Sequence, residues 1–152
     1  MQISGRFTTA VHLLCYVAMY SEEECVTSDA AAQSAGVNPV VIRNLMRQLS
    51  RAGLITVDRY EGIMLAKKPG KITLYDVYLA VESIDRNTGL FRFHGNPDLT
   101  CPVGAGIHAA LDKRLLAAQK AMEKELKSQT LEDVMKDLKK SIRKAEKKAG
   151  KN

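Results

Sequence analysis

The fold is decided by residues 27–66, which read TSDAAAQSAGVNPVVIRNLMRQLSRAGLITVDRYEGIMLA. Three successive alanines favour a helix, and Gly36 follows at the point where a left-handed residue would end it. Asn38 and Pro39 then suit the cap and the first position of a second helix, because Asn accepts from free backbone N–H groups and Pro needs no donor there. The stretch therefore predicts two helices joined by a short turn.

The second predicted helix has one apolar side and one cationic side. Its apolar residues repeat at helical spacing and would form a buried row, which contains Ile42, Leu45, Met46 and Leu49. The other side carries Arg43, Asn44, Arg47, Gln48 and Arg51. A glycine turn between two helices, with the second helix cationic outward, is the helix-turn-helix pattern. For the helix pair alone, an ordinary helical hairpin with a solvated arginine surface is the alternative.

Two strand-like runs follow the second helix, at residues 54–57 and 63–65. The segment between them ends in Gly62 and suits the turn of a β-hairpin. This hairpin is a candidate wing, so the predicted fold class is mainly α with a small β-wing, a winged helix-turn-helix domain. Lys67 and Lys68 lie in a basic turn after the wing, where they could touch phosphates.

Positive charge is concentrated in two segments of the chain. The formal net charge is +6, and by segment it is −3 for residues 1–35, +5 for 36–72, −2 for 73–135 and +6 for 136–152. A clustered excess of this kind is the electrostatic footprint of a polyanion partner, and double-stranded DNA is the leading candidate. The lack of tryptophan and the few aromatic residues argue against stacking on single strands.

Helical spacing of apolar residues predicts further helices before and after residues 27–66. The first is expected at residues 7–20, and capping boxes beginning at Thr73 and Thr130 start two more. Residues 84–101 show neither a helical nor a strand period, so we expect a loop there.

From residue 102 the chain is predicted to form a long helix of about 20 residues. Its apolar stripe is too long for this small core to cover alone, so a second copy of the chain is the natural cover. We therefore expect a two-fold homodimer in which this dimerisation helix packs against its mate. Packing against the first helix of the same chain is the alternative. The predicted dimerisation residues are Ile107, Leu111, Leu115, Ala118, Met122 and Leu126.

The predicted organisation has four parts. Residues 1–83 form the winged helix-turn-helix DNA-binding domain, 84–101 a loop, 102–145 the dimerisation helices and 146–152 a basic disordered tail. Three scattered cysteines make no disulfide framework. No apolar run approaches the roughly 20 residues of a membrane span, and no leader precedes the first helix. We therefore expect a cytoplasmic protein without a membrane partner.

Four segments carry a resemblance to one family, and they read MQISGRFTTAVHLLCYVA (1–18), VNPVVIRNLMRQLSRAGLI (37–55), KITLYDVYLAVES (71–83) and CPVGAGIHAALDKRLLAAQKAMEKEL (101–126). Together they resemble the Rrf2 family of bacterial regulators, to which IscR, NsrR and CymR belong. The most specific parts are the opening MQIS and the run VNPVVIRN. The resemblance implies a dimer of winged-helix domains joined by a long crossing helix, acting as a transcription factor.

The chain departs from the pattern of this family in two places. Members usually carry two glycines in the wing, whereas this tip has Gly62 alone, although Arg59 remains placed for the minor groove or its phosphates. Cluster-binding members supply three closely spaced cysteines before the long helix, whereas Cys101 stands alone in that loop. Adding His94 and His108 makes a poor ligand set within one chain. We expect no cofactor, no iron–sulfur cluster and no other metal.

If the chain binds DNA, the start of the second helix would enter the major groove. There Val40 and Val41 suit thymine methyl groups, whereas Arg43 can donate to guanine and Asn44 can pair with adenine. Arginines farther along that helix, and N–H groups at the start of the preceding one, suit phosphates. The predicted DNA-contacting residues are Thr27, Ser28, Asn38, Val40, Val41, Arg43, Asn44, Arg47, Arg51, Arg59, Tyr60, Lys67 and Lys68.

Two further interpretations concern Cys101 and the class of function. Cys101 precedes a helix start, where the dipole lowers a thiol pKa, so it is either a redox sensor or a packed cysteine. The sequence has no glycine-rich phosphate loop, zinc-protease motif or nucleophile elbow, so we do not expect an enzyme. The alternative function is a winged-helix protein–protein interaction module without specific DNA binding. Salt would separate the two, because DNA binding releases counterions.

Overall fold

The structure is a computed structural model, and it describes residues 5–82 and 89–150. Within these ranges the elements are α1 (Gly5–Tyr20), α2 (Ser28–Ala35), α3 (Pro39–Arg51), β1 (Ile55–Asp58), β2 (Gly62–Leu65), α4 (Leu74–Val81), α5 (Pro102–Ser128) and α6 (Leu131–Ala149). A short 3-10 turn at Pro69–Lys71 lies between β2 and α4. The predicted fold class, mainly helical with a small β-wing, is confirmed. The opening MQIS and residues 84–88 of the predicted loop lie outside the described residues.

The boundaries of α2 and α3 are set by their caps, and those at Gly36 and Asn38 are the predicted ones. The Thr27 hydroxyl accepts a hydrogen bond from the Ala30 N–H at 3.2 Å, and Gly36 ends α2 with a left-handed φ of 65°. Asn38 Oδ1 accepts from the Val40 N–H at 2.8 Å, which starts α3. Local side-chain chemistry therefore fixes where α3 begins.

The hydrophobic core lies where α1, α3 and α4 meet the inner face of the sheet. Phe7 of α1 and Tyr78 of α4 meet edge to face, with their ring centroids 6.3 Å apart. The fully buried aliphatic side chains include Leu13, Leu14, Val17, Ile42, Leu45, Leu49, Leu54, Ile55, Ile63, Val77 and Leu131. No helix in the described ranges is both long enough and apolar enough to cross a membrane.

The wing is an antiparallel hairpin in which Ile55 pairs with Leu65 and Asp58 with Gly62. The Asp58 carboxylate accepts hydrogen bonds from the backbone N–H groups of Tyr60 and Glu61, at 2.7 and 3.0 Å. These bonds, with that from Glu61 the stronger cause, hold the pKa of Asp58 below its usual value. The turn is thus closed by a side chain rather than by a second glycine.

The wing is anchored to the chain before α2 at Gly62. Val26 forms a parallel bridge with Gly62, and the Ile63 N–H donates to the Val26 carbonyl at 3.1 Å. Gly62 has a φ of 80°, and a Cβ at this position would lie 2.6 Å from the Val26 oxygen and 2.8 Å from Cys25 Sγ. The single wing glycine is therefore required for both its dihedral angle and its close approach.

The helices α4 and α6 begin with capping boxes, as predicted. The Thr73 hydroxyl accepts from the Asp76 N–H at 3.1 Å, and the Asp76 carboxylate accepts from the Thr73 N–H at 2.9 Å. Thr130 and Asp133 repeat this arrangement at 3.3 and 3.0 Å. Each box satisfies backbone donors that the first helical turn leaves open.

These two helix starts are joined by a short backbone bridge. The Leu74 N–H donates to the Gln129 carbonyl at 2.9 Å, and the Leu131 N–H donates to the Ile72 carbonyl at 2.8 Å. Leu131 is fully buried in the core. The start of α6 is therefore part of the same core as the winged helix, although it falls in the segment predicted for dimerisation.

Two elements are longer than the sequence predicts. The helix α5 has 27 residues, and α6 continues to Ala149, past residue 146, where the basic tail is predicted to begin. Lys147 and Lys148 lie in the last turn of α6, where cations stabilise the negative end of the helix dipole. Ala145 and Ala149 also have high helix propensity. Residues 151–152 lie outside the described residues.

Replacing Gly62 by Ala should destabilise the fold more than replacing Gly53. Both glycines have a left-handed φ, 80° and 68°, so both variants are strained. A Cβ at Gly53 meets open space, whereas at Gly62 it meets the Val26 backbone. We expect Gly62→Ala to lose about 1–3 kcal/mol more of unfolding free energy, which is the usual cost of overpacking. Urea unfolding measures this, and equal losses would contradict the anchoring role of Gly62.

Candidate nucleic-acid interface

The helix α3 presents its polar side to solvent. Ile42, Leu45 and Leu49 point into the core with at most 1% exposure. The residues between them point the other way: Asn38, Val40, Val41, Arg43, Arg47 and Arg51 are exposed, and Asn44 and Gln48 are half-buried. The predicted base-reading and phosphate-contacting residues of α3 therefore share one accessible surface.

Arg43 contacts the start of α2. Its Nε lies 3.3 Å from the Ser28 hydroxyl and its Nη2 lies 3.1 Å from an Asp29 carboxylate oxygen. The two charged side chains are 52% and 71% exposed, so solvent screens the pair to a contribution of about 0.2–1 kcal/mol. This contact brings together Ser28 and Arg43, which were predicted separately as DNA-contacting residues. The ion pair is weak enough for a DNA base or phosphate to replace Asp29.

A groove of about 680 Å³ runs between α3 and β1. Three arginine side chains line it, and Met46 and Val57 supply apolar surface. Val57 is 53% exposed on the outer face of the wing. The groove is lined by Arg43, Met46, Arg47, Ser50, Arg51 and Val57. A cationic lining beside apolar surface suits the phosphate and methyl groups of a DNA duplex.

The wing tip projects away from the core. Tyr60 is 83% exposed, and Arg59 beside it is also exposed. Lys67 and Lys68 are exposed just before the 3-10 turn. The Thr27 hydroxyl is already engaged as the cap of α2, so Thr27 can offer a phosphate backbone N–H groups near it rather than a hydroxyl acceptor.

One contact near this surface was not predicted. Arg6 of α1 donates from Nη2 to the side-chain oxygen of Gln48 at 2.5 Å. The two residues are 42 positions apart. Because no local pattern links them, only the packing of α1 against α3 reveals that Arg6 lies on the cationic side of α3.

The predicted dimerisation residues lie along α5, and no residue of this helix is fully buried in the single chain. Ala118 is exposed, and the other members of the predicted set are half-buried. Val103, one turn before Ile107, is 69% exposed, and Leu116, on another side of the helix, is 46% exposed. The helix thus keeps apolar surface that its own chain does not cover completely.

The three cysteines occupy different environments. Cys101 is exposed at the N-cap of α5, where the backbone N–H groups of Gly104 and Val103 lower its pKa. Cys15 is buried in α1, and its burial raises the pKa to about 11. Cys25 is exposed. Cys101 is therefore the thiol that the fold activates, and its role as a redox sensor stays a prediction.

Comparison with known proteins shows one family along most of the chain. Residues 3–137 match the model of the Rrf2 family, described as an iron-dependent transcriptional regulator. YwnA of Bacillus subtilis, which is assigned to the HTH-type transcriptional regulators, is 39% identical over 124 residues. That alignment covers 81% of this chain and 89% of YwnA.

Solved structures show the same fold. A protein assigned as DNA-binding superposes with a TM-score of 0.69 at 35% identity, over 86% of this chain and 98% of its own. CymR, the global cysteine regulator of B. subtilis, superposes with a TM-score of 0.67 at 20% identity, over 90% and 97% of the two chains. The second likeness shows the fold alone.

Within the described residues, no set of side chains is arranged to hold the iron that the description of that family model mentions. The rings of His94 and His108 lie 4.9 Å apart between centroids, and His108 Nε2 is buried without a hydrogen-bond partner in the described part of the chain. Across residues 5–82 and 89–150, no three His, Cys, Asp or Glu side chains are grouped closely enough to hold a metal ion. Cys101 with two histidines is a poor set for a cluster, whose absence stays a prediction.

The lowered pKa of the Cys101 thiol predicts how its alkylation depends on pH. Because the folded-state pKa is lowered, the thiolate should form at a lower pH in the native protein than in the chain unfolded in urea. Iodoacetamide labelling followed by peptide mass spectrometry gives both midpoints, with buried Cys15 as a slow internal reference. The same midpoint for Cys101 in native and unfolded protein would contradict the role assigned to the α5 N–H groups.

Proposed function

The chain belongs to the Rrf2 family of transcriptional regulators, and we propose that it is a homodimeric repressor that binds a palindromic operator in double-stranded DNA. The family and its relatives are regulators rather than enzymes. The observation that carries the proposal is the exposed, cationic and polar side of α3, flanked by the wing. In this proposal the protein acts in the cytoplasm, where bacterial DNA is found.

Base recognition is assigned to the first turns of α3. Val40 is 56% exposed and Val41 is 37% exposed, so their methyl groups can contact thymine. Arg43 leaves Asp29 and donates to guanine, a contact usually worth about 1–3 kcal/mol of discrimination. The weakness of the exposed Arg43–Asp29 pair supports this exchange.

Phosphate contacts are assigned to the cations that surround this reading surface. Arg51 lies at the end of α3, and Arg59 and Tyr60 lie on the wing. Lys67 and Lys68 follow the wing. Such contacts position a protein on the duplex without reading its sequence.

Dimerisation is assigned to α5. Its 27 residues span about 40 Å at 1.5 Å per residue, which is longer than the core of one small domain can cover. The half-buried row with Leu115 and Met122 would be covered completely by the same helix of a second copy. Two copies related by a two-fold axis present two recognition helices, which requires an operator with matching symmetry. A dimer seated on both half-sites would repress by excluding polymerase from the promoter.

Selection of DNA fragments from a genomic library by the purified protein tests operator recognition. We expect a recurring palindrome, bound with an affinity that falls steeply as salt rises.

Arg43→Ala should cost about 1–3 kcal/mol on this operator and relax the choice of base at one position in each half-site. Arg51→Ala, as a matched control, should weaken specific and random duplexes alike. Equal losses of affinity on both duplexes for Arg43→Ala would contradict its assignment to base recognition. If the chain binds a protein partner but shows no salt-sensitive binding to DNA, the protein–protein interaction module is favoured instead.

A charge placed in the predicted row of α5 tests the dimer. Leu115→Glu should convert the protein to a monomer, because an unpaired carboxylate is strongly unfavourable in an apolar interface. Leu116→Glu is the matched control, since Leu116 is more exposed but lies outside that row. Light scattering gives the mass of each variant, and circular dichroism checks that both are folded. A dimer that survives Leu115→Glu but not Leu116→Glu would show that another side of α5 forms the interface.

A further inference from the structure

A recess of about 280 Å³ lies between the start of α1 and the second half of α3. The side chains that line it are Arg6, Asn44, Arg47, Gln48 and Arg51. Three of these carry a guanidinium group, and no carboxylate is among them. Arg6 is the sole cationic side chain among residues 1–35, a segment with a net charge of −3. The fold thus places the one cationic side chain of this acidic segment beside the cationic side of α3.

The hydrogen bonds inside the recess leave it lined by donors. Arg6 donates to the side-chain oxygen of Gln48, and Arg47 donates to the side-chain oxygen of Asn44. Both amide oxygens, the natural acceptors of the recess, are therefore engaged by arginines. The recess therefore offers a ligand N–H donors, which come from the amide nitrogens of Asn44 and Gln48 and from three guanidinium groups with five donors each. A surface of donors with a threefold positive charge selects for an anion.

We propose that this recess holds a phosphate group of the DNA backbone, with Arg6 of α1 as a third clamp beside Arg47 and Arg51. The proposal rests on the DNA binding proposed above and extends the interface to the first helix. The recess adjoins the groove between α3 and the wing, because Arg47 and Arg51 line both. A duplex held in that groove brings its backbone past α3, and the planar guanidinium fork suits phosphate oxygens.

A purely structural role for Arg6 makes a different prediction. If the bond to Gln48 served only to hold α1 against α3, losing it would weaken DNA binding equally at all salt concentrations. A phosphate contact instead releases a counterion, so losing it changes the salt dependence of binding. Each phosphate contact contributes about 0.9 to the slope of log Kobs against log salt concentration.

Fluorescence anisotropy with a random-sequence 30-base-pair duplex tests the proposal, since phosphate contacts do not depend on sequence. Arg6→Ala should reduce the magnitude of the salt slope by about 0.9. Lys113→Ala is the control, because it removes the same charge from α5 at an exposed position on the side away from the predicted dimerisation row. That variant should keep the wild-type slope. Gln48→Ala, which removes the partner of Arg6 but not its charge, should also keep most of the slope.

The outcomes separate this proposal from the one on which it rests. Wild-type protein that does not bind the duplex in a salt-dependent way overturns DNA binding itself. Wild-type binding with a steep slope, together with equal slopes for Arg6→Ala and Lys113→Ala, overturns the phosphate contact of Arg6 alone. Thermal unfolding is the check that Arg6→Ala is folded, which is expected because Arg6 is exposed at the start of α1.

Discussion

The burial of one side of α3 is the interaction on which the candidate interface depends. Ile42, Leu45 and Leu49 are fully buried, and each such side chain contributes about 1.5–3 kcal/mol by leaving water. Helical geometry then directs the intervening residues to solvent. The exposed pair of Arg43 and Asp29 contributes far less than this. The core, and not the arginines, therefore sets the direction in which the cationic side faces.

The same core also holds the C-terminal part of the chain. Leu131 is buried in it, and the backbone bonds around Ile72 and Leu74 join the starts of α4 and α6. Because α6 directly follows α5, the end of the proposed dimerisation helix is fixed relative to the winged helix.

Local patterns predicted those features whose cause is local. The capping boxes at Thr73 and Thr130, the glycine end of α2 and the hairpin at Gly62 each depend on a few neighbouring residues, and the structure confirms them. In the sequence the lysines from residue 146 resemble a basic tail, whereas in the structure α6 continues through them to Ala149. On a helix already started by a capping box, those lysines stabilise the C-terminal end.

By itself, the sequence determined the helix-turn-helix, the wing and the apolar row of α3, because periodicity and caps act within a few residues. Tertiary structure alone decided which distant side chains meet. It brought Arg6 to Gln48 and Val26 to Gly62, and it placed Leu131 in the core. These contacts join residues far apart in the chain, where no local pattern exists to signal them. Their positions follow from how the helices share one core.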